Sequence, residues 1–253
     1  MSNDHTGNSR IFFKNLPEDL RYEDDAAQRR LLHEYGAVFV ARGVVRPDRI
    51  VFSDEEEVRR FQGSLDIAGS DVGGYFIELQ RAAMDALLAA VSQARTSGLS
   101  ITPRGPDSGR RNYADTIDLW KSRVEPALVH WVGRGRMTLE QADAIRAMSQ
   151  FEQVPEIFKL EADGIYFAKD LSKSIIYSVA PPGASQHLSL LAFDVAEFAD
   201  PDVRAILAKH FWYRTVVSDL PHFTFLGAAE DELNHLGLKC VDSAGQKFWV
   251  PDF

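Results

Sequence analysis

The fold of this chain is decided by the stretch Pro182-Gly-Ala-Ser-Gln-His-Leu-Ser-Leu-Leu-Ala-Phe-Asp-Val195, together with Ser218-Asp-Leu-Pro-His-Phe-Thr-Phe225 further along. Both stretches place imidazole and carboxylate groups in short apolar surroundings, where such groups usually have a binding partner. His187, Asp194 and His222 make a set of two imidazoles and one carboxylate. That set is typical of catalytic zinc sites because it leaves the fourth tetrahedral position open for water.

A second carboxylate, Asp219, precedes His222 by three residues. At that spacing it lies near the metal without binding it, in a position to accept a proton from the bound water. The alternative is that Asp219 caps the turn at Leu220-Pro221, which is a common use of Asp.

The order of these residues resembles that of a known family. Ser-x-His is followed by an Ala-x-Asp whose Asp stands seven residues after the His, and then by a carboxylate three residues before a final His. This order resembles the VanY-type D-alanyl-D-alanine carboxypeptidases and their L-alanyl-D-glutamate endopeptidase relatives, zinc peptidases that cut the peptide stems of peptidoglycan. The resemblance implies a zinc ion (Zn²⁺) bound by His187, Asp194 and His222, with Asp219 as the general base.

Two further positions extend the resemblance. The family pattern is Ser-x-His-x-x-Gly-x-Ala-x-Asp, and Leu190 stands at its Gly position. Because Gly permits close backbone packing, this difference predicts a reshaped turn or pocket wall. Upstream, Ser108-Gly-Arg-Arg-Asn112 resembles the Ser-Gly-Tyr-Arg-Ser element that supplies a substrate-binding Arg, which implies that role for Arg111. Arg111 equally fits a solvated residue at a helix start or an ion-pair partner of Asp115.

Ser185 has more than one interpretation. It closes the Pro-Gly turn, or its hydroxyl binds substrate beside the ligand His187. A third hypothesis makes Ser185 the nucleophile of a Ser-His-Asp hydrolase. That hypothesis is weaker because the Gly-x-Ser-x-Gly pattern of the nucleophile elbow is absent from the sequence. The two hypotheses differ in their response to a chelator, which inactivates a zinc enzyme but not a Ser-His-Asp hydrolase.

Two functional classes remain. The first is a zinc peptidase acting on peptidoglycan stem peptides, and the second is a non-catalytic cell-wall or protein-binding domain that keeps the peptidase fold. The sequence retains Asp219 as well as all three ligands. This favours the enzyme, since a domain that has lost catalysis is expected to lose its base or a ligand. The bond cleaved, its stereochemistry and the oligomeric state are not indicated by the sequence.

The composition of the chain limits the kinds of molecule that it is expected to bind. The chain has 253 residues, 45% hydrophobic and 26% charged, which is typical of a globular protein with a real core. The formal charge of -9 argues against a nucleic-acid partner, which needs a basic surface. No apolar run is long enough for a transmembrane helix. Segment 1–10 is polar and has no signal-peptide core, so a periplasmic or extracellular location rests on the family substrate alone.

We expect an α+β fold in which a central antiparallel sheet carries the zinc site and helices flank it. The strands predicted for that sheet are residues 174–180, 191–195, 213–217 and 222–225. Residues 1–75 are predicted to be a small N-terminal α/β extension of unknown role, with strands at 37–41 and 44–52 and a linker at 63–74. Residues 76–253 are predicted to be the peptidase-like domain.

The remaining elements are predicted from capping residues and apolar periodicity. They are helices at 26–35, 53–61, 75–94 and 154–161, a helix from Tyr113 to Gly133 interrupted at Pro126, a helix opened by the capping box Thr138-x-x-Gln141, a helix at 201–210 with Asp200 as its cap, an acidic helix at 229–236, a strand at 99–102 and a hairpin of 238–241 with 247–250.

Overall fold

The computed structural model describes residues 11–22 and 25–253, and the polar segment 1–10, predicted as a loose tail, lies outside them. The fold is α+β. The α-helices that follow residue 25 are α1 (Ala26–Tyr35), α2 (Glu55–Gly63), α3 (Arg81–Thr96), α4 (Tyr113–Gly133), α5 (Leu139–Ala147), α6 (Gln150–Ala162) and α7 (Pro201–Lys209). The strands are β1 (Ile67–Val72), β2 (Tyr75–Gln80), β3 (Ala192–Asp194), β4 (Trp212–Tyr213), β5 (His222–Phe225), β6 (Leu238–Ser243) and β7 (Gln246–Pro251). Short 3-10 helices form at Gly36–Val40, Ile175–Tyr177, Gln186–Ser189 and Glu230–Leu236.

The strands of the described residues form small antiparallel sheets. β1 pairs with β2, β6 pairs with β7, and β5 lies between β3 and β4 in a three-stranded sheet. In that sheet Asp194 stands opposite His222, and Phe193 stands opposite Phe223. Because side chains alternate between the two faces of a strand, the polar pair lies on one face and the aromatic pair on the other.

Of the four strands predicted for the site sheet, residues 222–225 are confirmed as β5 and residues 191–195 are confirmed in shortened form as β3. The strand predicted at 213–217 is displaced, because β4 shares only Tyr213 with it. The fourth prediction, a strand at residues 174–180, is wrong because Ile175–Tyr177 is a 3-10 helix with its two isoleucines buried. The predicted strand at 99–102 is also wrong, and an isolated bridge joins Pro103 to Val195 instead. Short apolar runs do not distinguish a strand from a buried helical turn.

The N-terminal strand predictions are wrong for the same reason. Of residues 37–41, the first four belong to the buried 3-10 helix Gly36–Val40, and residues 44–52 are irregular apart from a bridge between Arg21 and Arg49. The helix predicted from Ser53 is α2. It begins two residues later, with Asp54 as the cap, because the Asp54 carboxylate accepts from the backbone N–H of Glu57.

The segment predicted as a linker, 63–74, contains strand β1 and the turn that joins β1 to β2 in a hairpin. Gly73 and Gly74 have φ of +59° and +86°, and they join Val72 to its partner Tyr75. Two residues with positive φ make the tight turn that hairpins favour, so the Gly-Gly pair signals a turn here rather than a linker. The boundary expected after residue 75 therefore falls inside this hairpin. Residues before it, Phe12 and Leu32 among them, share one hydrophobic core with residues as late as Trp249.

The helix predicted over 75–94 is correct only from Arg81, because the first six residues form β2. α4 continues through Pro126 without the predicted interruption. α6 begins at Gln150, ahead of the predicted 154, since Ser149 and Glu152 form a capping box. The predicted acidic helix is the 3-10 helix Glu230–Leu236. The caps at Thr138 and Asp200 and the β6–β7 hairpin are confirmed.

Gly183 lets the backbone pass very close to Phe52 just before the chain reaches the candidate site. Its φ is +79°, and a Cβ atom built there would lie 1.9 Å from the carbonyl oxygen of Phe52. The Phe52 backbone N–H in turn donates to the Gly183 carbonyl at 3.0 Å. The predicted Pro-Gly turn is therefore held against the N-terminal segment by a contact that only glycine permits.

We expect Gly183→Ala to be more destabilising than Gly164→Ala. Gly164 has a similar φ of +76° but open space around its Cα, so its substitution costs only the left-handed strain of about 1–2 kcal/mol. Gly183→Ala adds a backbone clash worth roughly 1–3 kcal/mol more. Urea unfolding of both variants measures the difference. Equal losses of stability would contradict the close approach.

Candidate metal centre

The structure brings His187, Asp194 and His222 together, as predicted. One ligand atom from each residue lies within 4.8 Å of the others, and the group could hold a metal ion. His187 stands on the 3-10 helix Gln186–Ser189, Asp194 ends β3 and His222 opens β5. The strand register places the last two side by side. Both histidines are buried, and the Asp194 side chain is 13% exposed.

Hydrogen bonds to the outer ring nitrogens determine which nitrogens face inward. The His187 Nδ1–H donates to the Gly109 carbonyl at 2.7 Å, so its Nε2 lone pair faces the site. The His222 Nε2–H donates to the Gln186 Oε1 at 2.9 Å, so its Nδ1 lone pair faces the same point. Both inward nitrogens are 3.3 Å from the Asp194 Oδ1.

Two of the three inward atoms lack hydrogen-bond partners among the described residues. Within the described chain, His187 Nε2 and Asp194 Oδ1 are buried and have no donor or acceptor to satisfy them. Three acceptor atoms therefore converge without a hydrogen between them. A cation satisfies all three at once, and this arrangement fits a metal ion rather than a network of side chains.

The electrostatics favour the forms of these residues that bind metal. Burial lowers the pKa of His187, and the nearby Arg111 guanidinium lowers it further. Burial alone raises the pKa of Asp194, but contacts with His187 and His222 outweigh it, so that this pKa lies well below its ordinary value. A neutral imidazole and an ionised carboxylate are the states that coordinate metal.

Gln186 is a residue of the site that the sequence analysis missed. Its Nε2 donates to the Tyr35 carbonyl at 2.8 Å, which directs its Oε1 toward His222. The Thr224 hydroxyl donates to the same Oε1 at 2.5 Å. Gln186 therefore selects the His222 tautomer whose Nδ1 is free. The only signal in the sequence is a large amide next to a ligand.

The upstream stretch 108–112 forms hydrogen bonds with two of the predicted ligands. The Ser108 carbonyl accepts from the Asp194 backbone N–H at 3.0 Å, and the Gly109 carbonyl holds His187. Arg111 Nη2 donates to the Asp194 Oδ2 at 3.0 Å and lies 3.7 Å from Asp107. The alternative pairing of Arg111 with Asp115 is wrong, because Asp115 forms a capping box with Asn112. Arg111 thus holds the outer oxygen of a ligand carboxylate.

A cavity of about 490 Å³ opens onto the three ligands. Arg111, Ser185 and Asp219 line it as well, so the predicted site residues all border one space. Asp219 is exposed and lies outside the ligand group, and its role as the base stays a prediction. Ser185 is buried at the start of the turn that carries His187.

Leu190 keeps a backbone conformation that glycine favours. It has φ +58° and ψ +30°, and its side chain is fully buried. The left-handed conformation costs a Leu about 1–2 kcal/mol, and burial of its side chain offsets this by roughly 1.5–3 kcal/mol. The Leu side chain therefore adds packing at a position whose backbone conformation glycine favours.

Comparisons with known proteins give no family assignment. Models of protein families, curated proteins and solved structures yield no significant match to this chain. No helix in residues 11–22 and 25–253 combines the length and the apolar character needed to cross a membrane.

We expect His187→Ala and His222→Ala each to abolish stoichiometric metal binding, because each variant removes one of three converging lone pairs. Titration with Zn²⁺ against a chromophoric chelator measures the affinity, which should fall by more than the roughly 10- to 100-fold typical of outer-sphere changes. His130→Ala, an exposed histidine elsewhere, serves as the control. Stoichiometric zinc in both site variants would refute the assignment.

Gln186→Met should weaken zinc binding by about 10- to 100-fold, since the His222 tautomer is no longer selected. Gln153→Met is a matched control. Gln153 is also a buried glutamine, and it bonds Trp120 and the Ile145 carbonyl away from the site. Both variants should lose stability, but only Gln186→Met should lose metal affinity. A similar affinity in the two variants would show that Gln186 has no role in tautomer selection.

Proposed function

We propose that this protein is a zinc-dependent peptidase that hydrolyses peptidoglycan stem peptides, of the D-Ala-D-Ala carboxypeptidase or L-Ala-D-Glu endopeptidase type. The observation that carries the proposal is the convergence of three potential ligand atoms, two of them buried without a hydrogen-bond partner among the described residues, beside a cavity that Asp219 also lines. Two imidazoles and one carboxylate form a donor set that suits zinc. The order of the residues along the chain supports the substrate class.

The cavity chemistry suits hydrolysis of a peptide bond. When bound, the zinc ion supplies a Lewis acid that polarises the scissile carbonyl and lowers the pKa of a water molecule. Asp219 accepts the proton of the attacking water and returns it to the leaving amine. His187 and His222 are held by their outer nitrogens, so they keep their orientation as substrate enters.

Two arginines in the cavity wall offer contacts for a substrate carboxylate, beside the carboxylates of Asp107, Asp194 and Asp219. Arg104 and Arg111 both line the cavity, and a peptide that ends in a carboxylate brings the complementary charge. Arg111 already donates to Asp194 Oδ2 and to the Asp107 carbonyl, so its first role is to orient a ligand, and its remaining N–H groups are available to a substrate. A peptidoglycan substrate would place the protein in the periplasm or outside the cell.

We expect Asp219→Asn to retain zinc and to lose hydrolysis by roughly 10²- to 10⁴-fold, the usual contribution of a general acid-base group. Asp107→Asn is the control, since Asp107 is an exposed carboxylate that lines the same cavity. The assay is mass spectrometry of muropeptides that end in D-Ala-D-Ala, alongside muropeptides that test the L-Ala-D-Glu bond.

Two results would count against this function. Undiminished cleavage by the Asp219 variant would exclude Asp219 as the base. No cleavage of any stem peptide by the zinc-loaded protein would favour the alternative of a non-catalytic cell-wall or protein-binding domain.

A further inference from the structure

A second cavity lies on the face of the β3–β5–β4 sheet opposite to the metal centre. It has a volume of about 280 Å³, and Trp212 and Phe223 line it. Phe223 alternates with His222 along β5, and Trp212 stands opposite Phe225, so both side chains project away from the ligands. Helix α7 and strand β7 complete the wall. The sheet therefore separates this cavity from the candidate metal centre.

A buried cation without an anionic partner borders this second cavity. Arg214 is 4% exposed. Its guanidinium donates to the Gln246 side chain and to the Lys247 carbonyl, and it stacks on the ring of Phe248 at 4.6 Å. In the described part of the chain, no carboxylate forms an ion pair with it. Burial lowers the pKa of Arg214 to about 10, and Arg204 adds to this effect. An unpaired buried charge is costly, so an anion at this position would relieve a real penalty.

An unsatisfied hydrogen-bond donor lies in the same wall. Trp212 is fully buried, and its indole Nε1–H has no acceptor among the described residues. Buried donors of this kind are rare in proteins, because each one forfeits the hydrogen bond that it makes with water. Trp212 and Arg214 are two residues apart, and both line the second cavity. This donor is independent of the charge on Arg214.

The other charges around the second cavity are mainly positive. Arg204 lines it from α7 and is held by the carbonyls of Phe198 and Ala199. Lys247 lines it from β7 with a side chain 72% exposed, at 3.8 Å from Glu230. Glu230 is the one carboxylate among the residues described in the wall, set against three cations. The balance of charge favours an anion over a cation.

We propose that this second cavity is a binding site for a small oxyanion, the carboxylate or phosphate group of a small molecule. Arg214 supplies a desolvated guanidinium, and the Trp212 N–H supplies a neutral donor. Lys247 attracts the anion at the entrance. The volume exceeds that of a single water, about 30 Å³, by a wide margin, so it accommodates the oxyanion together with an attached group. This proposal does not depend on the hydrolytic function.

The test measures binding of inorganic phosphate and of acetate by calorimetry at fixed ionic strength, with chloride as the reference anion. Both metal-free and zinc-loaded protein are used, because phosphate also binds zinc. Arg214→Gln should weaken binding by about 10- to 100-fold, the usual contribution of a hydrogen bond to a charged group. Lys247→Gln, at an exposed position that preserves folding, should weaken it by up to about fivefold. Stronger binding of phosphate or of acetate identifies which oxyanion the site prefers.

Arg46→Gln is the matched control, since it removes a partly buried guanidinium that is held by the carbonyls of Asn15 and Phe39 and lines neither cavity. In metal-free protein it should leave phosphate and acetate affinity unchanged. The proposal is overturned if neither anion binds at millimolar concentration. It is equally overturned if Lys247→Gln and Arg214→Gln bind as the wild type does, or if Arg46→Gln alone abolishes binding. Should Arg214→Gln fail to fold, Lys247→Gln and the quenching of Trp fluorescence by anion in the wild type still decide the question.

Discussion

The antiparallel pairing of Asp194 with His222 is the constraint on which the rest of the site depends. Strands β3 and β5 are short, and this residue pair ends their ladder, so backbone hydrogen bonds rather than flexible side chains fix its separation. Ligands on strands are held more rigidly than ligands on loops. The third ligand, His187, reaches the same point from a buried 3-10 helix whose preceding turn is held against Phe52 by Gly183. A group of side chains that could hold a metal ion thus forms where three separate parts of the chain meet.

Burial of the polar groups on one face of this sheet costs free energy, and contacts with surrounding residues offset part of that cost. Each imidazole donates from its outer nitrogen to a fixed acceptor and turns the other nitrogen toward Asp194 Oδ1. The inward nitrogen of His187 has no hydrogen-bond partner among the described residues. Arg111 balances the outer oxygen of Asp194. The opposite face carries aromatic rings that pack into the main core, including Phe193 and Trp212 at 6.2 Å. One side of the sheet therefore provides stability, and the other side is free to carry chemistry.

Local signals in the sequence predicted what local physics controls. Caps at Thr138 and Asp200 gave correct helix starts because a side-chain oxygen near the first turn satisfies backbone donors whatever the tertiary fold is. Predictions failed for short apolar runs such as 37–41 and 174–180. Such a run is apolar because it is buried, and burial by itself does not choose between a strand and a 3-10 helix. The choice depends on whether a neighbouring strand is available to pair with it.

The sequence by itself determined the composition of the site: two imidazoles, a ligand carboxylate and a second carboxylate, in an order that resembles a peptidase family. It could not determine which ring nitrogens face inward, because Gln186, Gly109 and Tyr35 are distant from His222 in sequence or carry no metal-binding group. The partner of Arg111 was likewise decided by packing, since Asp194 is 83 residues away. The unpaired Arg214 and Trp212 on the reverse face became visible only in the fold. The chemical groups that are present can be read from the sequence, whereas their burial and their partners depend on contacts between remote segments.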